Sequence, residues 1–515
     1  MTTSSSRAYG HVQAVSLARD HLGFASLLAS KPCHERDLAA TMVASRIIGP
    51  VTKLATTHAM RQDSRKALPD RCVKPCTIGN MLTACGGSMR PANILSFCMM
   101  VVLIGLLPNP PSAAAGWEII TLDAGYSPSL AINPLNQNPY ISYYGATAKD
   151  LKLAFPVSSA GDCGPGNTWS CNSIQYTNTV DFGLGSSIGF DSAGNWGISY
   201  LTNNSSGLGF HGTAPSGNFQ YYKTIETSYS YFVTSFRYSA SGVASFAYVA
   251  FDGISSYLRF AHYNPRGAST CGLANQWDCE TVAKVDGHGL SSASLAYMND
   301  LAVIAYRDSV YGRLYTAVRT GFGNGTCMSS QWECKIVDSN SQVSGTPSVG
   351  AYSTSKVGIA YYDFYNHYMM VADATTGVCG WTCIYVENVN AQQNDNAAIA
   401  IALLNGQYIV AYTDRTNSNN TVLKVAYPYS GRAGDRAANC NYDGIKKSFG
   451  WHCEVIDDGG GTKKVGQSIS MGVTTAGAVY IAYSNDSDRT IKLAYQAAPV
   501  KPKPDLTPIL MLLLD

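Results

Sequence analysis

Four aspartates and one arginine stand out in this 515-residue chain as candidate binding groups. Asp252, Asp308, Asp363 and Asp414 each follow a short apolar segment that holds an aromatic residue. Gathered at one mouth of a channel, such carboxylates would hold calcium or a cationic ligand. The plainer expectation is that each caps its own turn, because an Asp side chain accepts readily from amides just ahead of it. Arg237 stands where related segments carry Ala, Gly or Ser. Its guanidinium would either anchor an anionic group or settle on an internal carboxylate or backbone carbonyls. These five are the expected binding residues. The sequence has no nucleophile elbow, phosphate loop or HExxH-type metal helix, so no catalytic residue, metal or cofactor is expected and the reading leans away from an enzyme.

Cysteine is the second chemistry. Ten cysteines lie after residue 115 as five local pairs: Cys163/Cys171, Cys271/Cys279, Cys327/Cys334, Cys379/Cys383 and Cys440/Cys453. In each pair the second cysteine lies two residues after a tryptophan: Trp169, Trp277, Trp332, Trp381 and Trp451. Disulfides stapling a hairpin explain this spacing in an exported protein. Zinc would need four converging ligands, and no regular histidines accompany the pairs. The tryptophan is expected to cover the edge of its sheet.

These residues need a scaffold, and the scaffold repeats. An aliphatic-small-Tyr tripeptide recurs at Ile141-Ser142-Tyr143, Ile198-Ser199-Tyr200, Ile304-Ala305-Tyr306, Ile359-Ala360-Tyr361, Val410-Ala411-Tyr412 and Ile481-Ala482-Tyr483. Val249-Ala250-Phe251 fills the third place of seven. Each copy follows a segment in which small and apolar residues alternate: Ser129-Leu-Ala131, Ser187-Ile-Gly189, Ser235-Phe-Arg237, Ser294-Leu-Ala296, Ser348-Val-Gly350, Ala398-Ile-Ala400 and Ser468-Ile-Ser470. A third segment such as Leu151-Lys-Leu-Ala154 comes next, and the Trp-x-Cys segment is the fourth. Period-two alternation between turn residues marks strands. Four strands in each of seven copies predict an all-β, seven-bladed β-propeller over 116–496. Small residues on the first strand suit crowding at the axis, and the repeated Tyr suits packing between blades. Asp123, Asp338, Glu387 and Asp457 close the fourth strands and are expected to cap turns.

The seventh copy lacks its own Trp-x-Cys strand. Trp117–Asp123 has the same Trp-to-carboxylate spacing as Trp332–Asp338, so the strand after residue 115 is expected to complete the last blade and remove an open edge. Residues 89–115 hold Arg90, an apolar run at Ile94–Leu107 and Ala113-Ala114-Ala115. That is the order of a signal peptide cleaved before Gly116. Residues 1–88, with eleven Lys/Arg against five Asp/Glu, are read as a mis-called or disordered extension. Residues 497–515 form a Pro/Lys linker and a short apolar tail, too short to span a membrane. Residues 116–515 hold twenty-four Lys/Arg against twenty-nine Asp/Glu, so no basic surface for nucleic acid is expected. Asn203, Asn204, Asn324, Asn419 and Asn485 begin glycosylation sequons, relevant only in a eukaryotic secretory host.

Through "ISYYGATAKDLKLAF", "IAYYDFYNHYMMVAD" and "AYSNDSDRTIKLAY", the chain resembles secreted bacterial propeller proteins with ISYYD…LKYA-type repeats, and more distantly sialidase-like propellers. "FDSAGNW" at Phe190–Trp196 comes nearest to their Asp-box turn but has the wrong spacing, so no sialidase residue is carried over. The resemblance implies a fold and little about activity. The expected function is an extracellular or periplasmic binding module for carbohydrate or protein at one face. An extracellular glycan hydrolase or lyase, and a surface-assembly protein, are the alternatives.

Overall fold

A computed structural model describes residues 116–498, apart from short stretches within that span. The chain divides into two units, Met1–Ile94 and Leu95–Asp515, and every described residue belongs to the second. The expected signal peptide, the 1–88 extension, the apolar tail, Cys379 and the sequon asparagines Asn203, Asn204, Asn324 and Asn419 lie outside the described residues.

Among the described residues the chain is all-β, with only short 3-10 turns beside its strands. No helix there is long and apolar enough to cross a membrane. Five antiparallel sheets have four strands each, and a sixth has seven. Within each four-stranded sheet the strands lie in sequence order, as short Gly- and Asn-containing turns require. The seven-stranded sheet arises from one long strand, Glu118–Ile132. Its first half pairs with Thr490–Gln496, the third strand of the seventh repeat, in the register Glu118 with Tyr495. Its second half pairs with Pro139–Gly145 of the first repeat.

First strands pack on one another in sequence around the molecule. Glu118–Ile132 touches Phe182–Phe190, and the series continues to Val465–Val473, which touches Glu118–Ile132 again. Serine hydroxyls tie these strands together. Ser129 Oγ accepts from Ile188 N at 3.2 Å, Ser187 from Phe236 at 2.9 Å and Ser235 from Leu295 at 2.9 Å. Ser294 then accepts from Val349 at 3.1 Å, Ser348 from Ile401 at 3.2 Å and Ser470 from Leu130 at 2.8 Å. First strands have no ladder partner on their inner side, so these side chains satisfy amides that would otherwise be orphaned.

The ladder registers correct three of the sequence alignments. Ser129 pairs with Ser142, Ala400 with Ala411 and Ser470 with Ala482. The first-strand motifs of the last two repeats are therefore Ala400-Ile401-Ala402 and Ser470-Met471-Gly472, two residues beyond the expected Ala398 and Ser468. In the third repeat Ser235 pairs with Ala247, so Phe246-Ala247-Tyr248 replaces Val249-Ala250-Phe251. A run of alternating apolar residues fits either frame, and only the partner strand fixes which is used. Arg237 then corresponds to Ala131, Gly189, Ala296, Gly350, Ala402 and Gly472. A Cβ on Gly189, Gly350 or Gly472 would come within 3.1, 3.2 or 2.6 Å of Phe236, Ile401 or Leu130 in the next repeat, so crowding does account for the small residues.

Trp169, Trp277, Trp332 and Trp451 are buried. They do not cover an edge, as the sequence suggested. Each lies between its own sheet and the preceding one: Trp332 meets Phe260 edge-on at 5.1 Å, and Trp277 meets Phe210 at 5.1 Å. Large aromatic area sandwiched between sheets contributes more than area left on a rim. Trp117 joins the cluster of Ile409, Ala411 and Leu423 from the sixth repeat. That is the position expected if Trp117 serves the seventh repeat.

Candidate functional site

The end of the first strands, where they turn into the second, surrounds a cavity of about 490 Å³. Its wall takes Leu130, Ile188, Phe190, Leu403 and Met471 from four repeats. Ala131, Gly189, Ala402 and Gly472, the small positions just described, leave the room. The third repeat contributes Arg237, at the end of Ser230–Tyr238.

Arg237 is exposed by surface area, yet the protein packed around it pushes its pKa down by desolvation. The two observations agree if the side chain stands in a concave space, reached by water and enclosed on most sides. Its Nη1 donates to the carbonyl of Phe236 at 2.6 Å. Among the described residues no carboxylate lies within salt-bridge distance of it. Asp191, also at the cavity, is committed to its own turn: Oδ1 accepts from Ala193 N and Asn195 N, and Oδ2 from Asn195 Nδ2.

The four aspartates do not join Arg237. Strand direction separates them: Arg237 pairs with Ser245 near the start of Ala244–Phe251, and Asp252 follows the far end of that strand. Asp308, Asp363 and Asp414 occupy the corresponding far ends or their neighbourhood in the fourth to sixth repeats. Asp252 Oδ1 accepts from the amides of Ile254 and Ser255, and Tyr257 OH donates to Oδ2. These bonds, led by the Tyr257 hydroxyl, lower its pKa to about 2. Asp308 accepts from Val310 N and Tyr311 N, and Asp363 from Tyr365 N and Asn366 N. Asp414 instead pairs with Lys424 at 3.0 Å.

Fourth-strand carboxylates and second-strand tyrosines, most of which the sequence reading treated as turn caps and packing, form a recurring triad with third-strand cations between repeats. A fourth-strand carboxylate accepts from the second-strand Tyr of the next repeat: Asp123 from Tyr143 at 2.6 Å, Glu226 from Tyr248 at 2.9 Å, Asp338 from Tyr361 at 2.7 Å, Glu387 from Tyr412 at 2.5 Å and Asp457 from Tyr483 at 2.7 Å. A third-strand cation completes four of these: Lys152, Arg259, Lys424 and Lys492 reach Asp123, Glu226, Glu387 and Asp457 at 2.5 to 2.8 Å. Burial alone would raise the pKa of Asp123 and Asp457. The Lys and Tyr hydrogen bonds outweigh it and hold both below the usual carboxylate range. The sequence does carry this signal, as a carboxylate followed by Tyr at 20 to 26 residues. Asp123 and Asp457 also cap their turns, through Ala124 N and Gly459 N.

Four of the five expected disulfides join the anticipated partners: Cys163–Cys171, Cys271–Cys279, Cys327–Cys334 and Cys440–Cys453. The fifth expectation, Cys379 with Cys383, lies partly outside the described residues; Cys383 itself is exposed on Thr382–Asn388. Its Sγ lies 4.0 Å from the carbonyl oxygen of Val337 in the preceding repeat. The four bridges join cysteines 7 to 13 residues apart, and a turn brings the first cysteine back beside the tryptophan, as Cys163 beside Trp169 and Cys271 beside Trp277. Cys379 itself lies outside the described residues. Asp162, Cys163 and Cys171 lie close together, but both sulfurs are spent in the disulfide and offer no thiolate to a metal.

No protein-family model matches the chain, and no curated protein matches it. Among solved structures, a Hadza microbial sialidase is similar at 11% identity and a TM-score of 0.40, covering 73% of this chain. The chain spans 66% of that sialidase's length. The intramolecular trans-sialidase from Ruminococcus gnavus, with oseltamivir carboxylate, gives 10% identity and 0.35, covering 76% of this chain and 97% of that one. An Aleuria aurantia lectin in complex with Fucα1-6GlcNAc gives 13% and 0.36, covering 66% and 98%. Likenesses this distant carry no argument about chemistry.

Proposed function

We propose that this chain is an exported seven-bladed propeller, closed by Trp117–Asp123, that binds an anionic group of a glycan or protein at the axial mouth beside Arg237. The observation that carries the reading is the cavity itself: it is wide where four repeats are small, and it holds a guanidinium without a carboxylate partner among the described residues. A cation held in a concave, largely preformed site is how proteins orient a ligand. The cyclic series of first-strand contacts and the placing of Trp117 support closure. Four disulfides support an oxidising compartment.

The aspartates at the opposite end, each already holding turn amides or Lys424, are a second candidate only where a cation displaces those bonds. An array of glycans and peptides, probed with the full chain and with Arg237→Ala, tests the reading. Specific retention that the variant loses is expected. Retention that the variant keeps overturns the axial site, and release of a cleaved product favours a hydrolase or lyase. In exported material, N-terminal sequencing is expected to begin at Gly116.

A further inference from the structure

The walls of the axial cavity narrow the ligand further, given the axial reading. Ile132, Phe190, Leu403, Met471 and Val473, all partly exposed, present aliphatic and aromatic carbon. The polar side chains at the cavity are Arg237, the committed Asp191 and Ser192, which is exposed in the turn after Phe182–Phe190. A sugar carries a hydroxyl on nearly every carbon. Hydroxyls turned toward that carbon would lose water and gain no partner, at about 1–3 kcal/mol each. An apolar body with one acid group meets the opposite situation. Its carbon displaces water from carbon, at roughly 0.8 kcal/mol per methylene, and its charge meets the one guanidinium. A planar carboxylate matches the fork of that guanidinium in two hydrogen bonds.

We propose that the axial cavity takes a carboxylate borne on an apolar body, and discriminates against polyhydroxylated acids. A fatty acid and the apolar C-terminus of a peptide share this chemistry. The bond from Arg237 to the Phe236 carbonyl uses Nη1, which leaves donors on the other nitrogens for the incoming acid.

Calorimetric titration of the full chain tests this with five probes: decanoate, decan-1-ol, N-acetyl-trileucine acid, its C-terminal amide, and glucuronate. The expected result is that at least one apolar acid binds, tenfold or more tighter than its neutral counterpart, and tighter than glucuronate. The acid that binds more tightly identifies the source. In Arg237→Ala the acid is expected to fall to the affinity of its neutral counterpart while the melting temperature holds, because the other six repeats have Ala or Gly there. Ser192→Trp, in an exposed turn at the mouth, is expected to weaken the acid as well. Equal binding of acid and neutral probe, or no binding of either acid, overturns the proposal. Glucuronate that binds more tightly and is lost in Arg237→Ala overturns the apolar preference alone and leaves the axial site standing. Acid binding untouched by both variants removes the axial site.

Discussion

Tyr412 shows how much one hydroxyl does in this fold. It is buried, donates to Glu387, and Glu387 in turn holds Lys424. Tyr412→Phe removes one donor and leaves Lys424 to satisfy the carboxylate, so a loss of about 1–2 kcal/mol is expected. Lys424→Met leaves two acids, Glu387 and Asp414, largely buried without their cation. A larger loss, about 3–5 kcal/mol, is expected, and chemical denaturation of the two variants measures the difference. Equal losses would show that the charge is not what the triad needs. The recurrence of each of these residues was visible in the sequence, but their partnership was not. Carboxylate, Tyr and Lys sit on three strands of two different repeats, and reading one repeat at a time assigns each to its own turn or core. Arg237 was legible because it breaks a rule. Its separation from Asp252, Asp308, Asp363 and Asp414 was not, because strand ends acquire a side only once the direction of each strand is known.

At the scale of the strand, the sixth repeat has a gap in the serine series. Ala400 occupies the place held by Ser129, Ser187, Ser235, Ser294, Ser348 and Ser470, so Met471 N meets no serine hydroxyl among the described residues. Ala400→Ser restores the missing acceptor, and a gain of about 0.5–1 kcal/mol is expected from thermal or urea unfolding. Destabilisation instead would show that the sixth and seventh repeats pack too closely for the oxygen. The first-half segment of Glu118–Ile132 tests closure. Deleting residues 116–123 exposes the ladder edge of Thr490–Gln496 and removes Trp117 and Asp123 together. Aggregation or a large drop in melting temperature is expected, and a variant that melts like the parent would refute the role. The strand pattern itself was readable from period-two alternation, and four disulfides from cysteine spacing. Frame was less readable: in "ASFAYVAF" and "IAIALL" small and apolar residues alternate so evenly that two registers look alike.

For the whole molecule, acid sensitivity follows from where charge is buried. Burial lowers the pKa of His211 to about 4, and of His262 to about 4 with Arg319 adding to the effect. An unfolded histidine titrates near 6.5. Between those values the unfolded chain takes up protons that the folded one refuses, so stability falls as pH drops from about 6.5 towards 4. For His211, 5% exposed and stacked on Trp196, the loss is on the order of 3 kcal/mol. Asp123 and Asp457, held low by their triads, add a second decline below about pH 4, as the unfolded carboxylates protonate first. His211→Phe is expected to flatten the upper part of the melting-temperature curve and leave the lower part. A curve unchanged above pH 4 would count against the histidine.

The strand Glu118–Ile132 also sets a clock. Tyr495 and Glu118, which bond across the seam, are 377 residues apart. At about 5–20 residues per second, roughly 20–75 s of synthesis separate them. Throughout that interval the early half of the strand has no ladder to join. An exported nascent chain would therefore travel with one sticky end uncovered, and its yield would depend on whatever shields that end until the last strand arrives.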